Sequence, residues 1–448
     1  MSGARYFLSD LWYWIRNHPI RGVLTLLVIG GVVAAAVIGI GSLADDDPTQ
    51  SLAPAPEVIL RAEEPAEEPS DLGFPAFATS NTTRVAGADS VAVAAGVALA
   101  TFPSGGSASG PNAVTLVPAD DWAAGIAAAS LVTEPIGSPI LLTDGDELPE
   151  LTERALASLA PQGSAATQNR QVFAVGDAAE PEGARTTRIK AANPAEIAAE
   201  VALLRERLTE EMPQHLLIAS SDEAAFAMPA AAWAARSGDP VLFAQRDSVP
   251  EATLKLLERY KDVPVYLLGP ESVISRKAEN QIAKATKASV RRAAEEDDPV
   301  ANAIEFARYV DGTFGWNIND PGHGFVIANS SRPADAGASA ALSGSGTWGP
   351  LLITEEADAL PADLESFMLD LKPGYDDDPT RAVYNHVWFV GDEAAIGVDF
   401  QVEVDEIAEV APIRSGSGPE TLGPAPGTPE PEGQQRGQGK KQEPNGNQ

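Results

Sequence analysis

The sequence contains no cysteine. That excludes a disulfide framework, a thiolate metal site and a cysteine nucleophile. Histidine is scarce as well. His18, His215, His323 and His386 stand far apart, and none falls in a spacing such as H-x-x-x-H that would set two imidazoles on one helix face. Each reads as a loop or strand-edge side chain, and no metal or other cofactor is expected. Basic residues are few, 31 against 64 acidic ones, for a formal net charge of −33. A chain this acidic avoids nucleic acid and bare anionic surfaces. What is present is apolar: 44% of the 448 residues are hydrophobic, enough for real cores in two to four domains.

One long uncharged run stands near the start. Residues 22–43, "GVLTLLVIGGVVAAAVIGIGSL", reach across the roughly 30 Å hydrocarbon layer at about 1.5 Å per residue. Arg5, Arg16 and Arg21 precede it and Asp45, Asp46 and Asp47 follow. The positive-inside rule then places residues 1–21 in the cytoplasm and the remainder outside a single-pass membrane anchor. The alternative is a signal peptide cleaved near Ala44, giving a secreted protein. Residues 45–80 are rich in Pro, Ala and Glu and read as a disordered linker, averaging about 35 Å end to end. Residues 413–448 read as a disordered tail.

Between them one pattern is written three times. "SPILLTDGDELPE" (138–150) returns as "DPVLFAQRDSVPE" (239–251) and as "GPLLITEEADALPA" (349–362). Around it each unit runs in the same order. A short extended stretch opens it ("TTRVAG", "TTRIKA", "ASVRRA"), then a helix, then a buried strand ("NAVTLVPA", "QHLLIAS", "HGFVIAN"). An Ala-rich helix, the quoted strand, a helix begun by Pro149, Pro250 or Pro361, and a strand ending in glycine complete it. Strands alternating with helices predict parallel sheets covered on both faces, and the continuous apolar strands fit that burial. The Ala-rich helices would let backbones approach closely. A period near 100 residues is domain-sized. The reading is three tandem α/β units, 81–185, 186–287 and 288–412.

The motifs "TRVAG" (83–87), "WAAGIAAAS" (122–130), "SPILLTD" (138–144), "LPELT" (148–152) and "FAVGDA" (173–178) resemble the cell wall-binding repeat type 2 family, found in threes on bacterial surface proteins. The likeness is fullest in the first unit and covers about three quarters of the chain. It implies Rossmann- or flavodoxin-like units in a pseudo-threefold arrangement and noncovalent attachment to a cell-wall polymer, often an anionic glycopolymer. The family's helix aspartate is matched only by Asp335; Ala124 and Ala225 hold its place in the other units.

Signals for catalysis are thin. "GSGTWG" (344–349) matches G-x-G-x-x-G but precedes a strand instead of following one. The carboxylate pairs at 119–121 and 376–378 are what so acidic a chain carries by chance. Against the overall charge, "SRKAENQIAKATKASVRR" (275–292) gathers Arg276, Lys277, Lys284, Lys287, Arg291 and Arg292, with Lys277, Lys284 and Lys287 expected on one helical face. These six and Asp335 are the candidate polymer-binding residues; the bland alternative is a solvated helix balancing nearby acids. The expectation is a non-enzymatic, wall-facing binding protein. The alternatives are an envelope hydrolase or transferase working at the strand ends, and a scaffold for another envelope protein.

Overall fold

The computed structural model describes residues 77–102, 110–344, 349–375 and 378–412. The apolar run 22–43, residues 45–76 of the expected linker 45–80 and the tail 413–448 lie outside the described residues; the last part of that linker is not disordered, since Phe77–Ala78 forms a strand against Thr82–Val85. Among those described, no helix is long and apolar enough to cross a membrane.

Three parallel sheets with one strand order form the framework. The first runs Ile140–Thr143, Val114–Pro118, Val172–Val175, Thr186–Ile189. The second runs Val241–Ala244, Leu216–Ser220, Val265–Leu268, Val290–Ala294. The third runs Leu351–Thr354, Gly324–Asn329, His386–Val390, Thr82–Val85, and carries Phe77–Ala78 as an antiparallel edge. The middle strands are buried along their whole length, as apolar runs without alternation require.

The sheets do not coincide with the sequence repeats 81–185, 186–287 and 288–412. The strand that opens each repeat pairs in the sheet of the repeat before it. Thr186–Ile189 lies beside Val172–Val175, and Val290–Ala294 beside Val265–Leu268. Thr82–Val85, which has no earlier repeat, lies beside His386–Val390 of the last one. The three lobes therefore close into a ring.

An arginine fastens each of these joints. Nη1 of Arg84 donates to the Gly391 carbonyl at 3.1 Å, Nη1 of Arg188 to Gly176 at 2.7 Å, and Nη1 of Arg292 to Gly269 at 2.7 Å. Each glycine ends the neighbouring strand with positive φ (105°, 59° and 119°), which accounts for its type.

The Ala-rich helices pack on one another at the centre: Trp122–Ala128, Pro229–Ser237 and Ala334–Gly344. Side chains there are small because the backbones nearly touch. A Cβ at Gly337 would lie 2.8 Å from the Gly125 backbone. The first helix of each repeat bridges lobes. Pro194–Thr209 packs on the second sheet and on Trp122–Ala128, and Ser90–Thr101 packs on the first sheet and on Ala334–Gly344. Side-chain caps start two of the first helices: Asn193 accepts from the Glu196 amide before Pro194, and Asp298 accepts from Val300 and Ala301 before Pro299. One continuous apolar core runs through all three sheets.

Candidate functional site

The basic segment 275–292 folds as the helix Arg276–Ala285, a loop, and the strand Val290–Ala294. Ser275 caps the helix, its side chain accepting from the Ala278 amide. Ala278 and Ile282 anchor its inner face, leaving Arg276, Lys277 and Lys284 exposed. The helix stops at Ala285, so Lys287 lies in the following loop and not on the expected common helical face.

The structure divides the candidates. Arg276 pairs with Glu271 at 2.6 Å, and Arg291 forms an ion pair with Asp311. Arg292 is turned inward, with its side chain 6% exposed. Its guanidinium donates to the carbonyls of Gly269 and Ile274 and to Glu279. It is the joint-fastening arginine of the second lobe, a structural role, and is unavailable to a ligand. Lys277, Lys284 and Lys287 remain exposed, with no acidic partner among the described residues.

Lys261 joins them from another segment. Its carbonyl accepts from the amides of Lys287 (2.7 Å) and Ala288 (3.0 Å) and from the Thr286 hydroxyl (2.8 Å). The exposed Lys261 and Lys287 are thereby held side by side, with Asp262 next to them in the chain. No sequence spacing could reveal Lys261, because the link is a backbone bond between distant residues. Unpaired ammonium groups along about 15 Å of helix and its adjoining loop are suited to a run of negative charges.

Asp335 lies elsewhere, fully buried in the first turn of Ala334–Gly344. Its Oδ2 is 2.9 Å from Nε of Arg332, which also donates to the Gly87 carbonyl. Burial pushes the Asp335 carboxyl up to about 6, against the pull of Arg332. It fastens the third lobe to the start of the first repeat, and the structure does not bring it together with the lysines.

At the strand ends several polar side chains bond to nearby loops. Asn329 donates to the Ala395 carbonyl and accepts from Ser331. Ser220 accepts from the amides of Asp222 and Glu223, and Asp121 from Ala124. His215 makes the nearest approach to a catalytic relay: Nδ1 is 2.9 Å from Asp239 Oδ2, and Nε2 is 3.0 Å from the Thr313 hydroxyl. Trp233 also donates to that aspartate oxygen. The group sits at the start of its strand, against Tyr266 and Phe314, which stack at 3.7 Å. It clasps the Thr313 loop of the third repeat onto the second lobe. Among the described residues no cluster of histidines and carboxylates is placed to hold a metal ion.

The model of the family described as cell wall binding domain 2 (CWB2) matches residues 188–279. That stretch lies in the second unit, whereas the sequence motifs favoured the first. No curated protein matches the chain. Among solved structures, Cwp6 from Clostridium difficile is similar at 19% identity and a TM-score of 0.55, over 73% of this chain and 47% of that one. Cwp8 from the same organism is similar at 18% identity and a TM-score of 0.57, over 74% and 52%. The chain thus spans about half the length of either structure, and at such identity the likeness is one of fold. Residues 188–279 thus match the model of cell wall binding domain 2, and the body in which they are set resembles the two clostridial proteins in fold.

Proposed function

We propose that the protein binds an anionic cell-wall polymer noncovalently and without catalysis, on the outer side of a membrane that its apolar segment 22–43 holds. The observation that carries this reading is the group Lys261, Lys277, Lys284 and Lys287. These are exposed cations without acidic partners among the described residues, on a chain of net charge −33, in and beside the segment that matches the wall-binding family. Elsewhere so acidic a surface repels a polyanion, so contact is steered to this strip.

The test is a pull-down of the full-length protein, in detergent, with purified wall fractions at several salt concentrations. Binding is expected to weaken as salt rises, and to fall roughly tenfold or more in Lys277→Glu/Lys284→Glu/Lys287→Glu. A variant that binds like the wild type would reject the reading.

A second reading, a scaffold for another envelope protein, is favoured by the exposed Leu369, Val383, Val398 and Val402 of the third lobe. Retention by a protein fraction alone would select it.

A further inference from the structure

The segment that follows the last inner strand has the same backbone path in the second and third lobes. Val273 and Ile274 donate their amides to the Pro270 carbonyl, as Ala395 and Ile396 do to Asp392. Glu279 bonds to Ser275 as Gln401 does to Gly397, within the helices Arg276–Ala285 and Val398–Ala408. The side chain of Glu279 takes Arg292, and that of Gln401 takes Arg84. These bonds fix the register between the two lobes without appeal to sequence similarity. In it, Arg276, Lys277, Gln281 and Lys284 occupy the positions held by Val398, Asp399, Glu403 and Glu406. Two exposed lysines in one lobe are two exposed carboxylates in the other. In the first lobe the position is empty of helix: residues 176–185 pass from Val172–Val175 to Thr186–Ile189 in turns, and Glu180 pairs there with Arg188.

We infer that the polyanion is read by one lobe in three: the second lobe holds a single site per chain, the third excludes the ligand by reversed charge at the matching helix, and the first has lost the surface. This rests on the proposed function and adds its stoichiometry. Three similar folds therefore do not amount to three similar sites, since the lobes share a backbone and differ in the sign of one outward helix face.

Titration calorimetry of the full-length protein with short inorganic polyphosphate tests this. The expected ratio is one polyphosphate per protein, abolished by Lys277→Glu/Lys284→Glu/Lys287→Glu. The graft Val398→Arg/Asp399→Lys/Glu403→Gln/Glu406→Lys is expected to raise the ratio to two. If the graft does not fold, Asp399→Lys/Glu406→Lys carries the same comparison. A wild-type ratio of two or three, or a folded graft that adds no site, overturns the one-lobe inference and leaves the functional reading standing. A wild type that binds neither polyphosphate nor wall fractions overturns the functional reading itself. Binding to wall fractions alone rejects a polyanion as ligand, and the inference with it.

Discussion

Arg84, Arg188 and Arg292 carry the same joint at unequal depth. Arg84 is 2% exposed, and Nη1 reaches two carbonyls while Nε reaches Gln401. Arg188 takes the partly exposed Glu180 instead. Their recurrence every 104 positions (84, 188, 292) was a usable signal, but at the third position it was hidden by the cations around it. Charge counting placed Arg292 in a binding strip because it could not see that the side chain points inward. Asp335 offers a sharper residue-scale test. An unfolded aspartate loses its proton near pH 3.8 and the folded one at about 6, so between those values the folded chain keeps a proton that the unfolded chain has released. Stability is expected to decline as pH rises through this window, by at most about 3 kcal/mol, and to level off above it. Denaturant titrations at pH 4 to 7 should show that decline in the wild type and lose its Asp335 part in Asp335→Asn.

At the scale of elements, the central helices meet through glycine, and the two partners are not equivalent. A Cβ on Gly337 would press at 2.8 Å on the Gly125 backbone, while one on Gly125 would find Gly337 Cα at 3.5 Å, an ordinary contact. Gly337→Ala should cost about 2 kcal/mol of unfolding free energy. Gly125→Ala should leave it unchanged or raise it by up to ~1 kcal/mol through helix propensity. Equal effects in denaturant titrations would contradict this packing. The elements themselves were largely legible: apolar runs marked the strands, and Pro149, Pro250 and Pro361 marked helix starts that the structure keeps. Which strand pairs with which was not legible. "TTRIKA" announces a new repeat by its place in the text, yet Thr186–Ile189 completes the sheet of the old one. Pairing is a contact across space, and periodicity along a chain carries no record of it. Lys261 escaped for the same reason.

Over the molecule as a whole, covalent continuity links the first repeat to the second and the second to the third. Among the described residues the remaining joint, between the third repeat and the first, is made by noncovalent contacts. Thr82–Val85 lies along His386–Val390, Asn81 and Thr79 bond to Asp405, and Arg332 reaches Gly87. Arg84→Ala would leave the carbonyls of Gly391 and Asp392 and the Gln401 amide short of a partner in a buried place. Hydrogen exchange should then quicken in His386–Val390 before it does in either of the other sheets. Uniform acceleration across the three would mean that the joint is not the weak point.

Because every module lends its first strand to a neighbour, the heritable unit and the folded unit are different objects. Duplicating the stretch between two opening strands carries every lender and borrower along together, whereas duplicating a lobe as it appears in space would sever two partnerships at once. A substitution in one module is consequently judged by selection in the architecture of another.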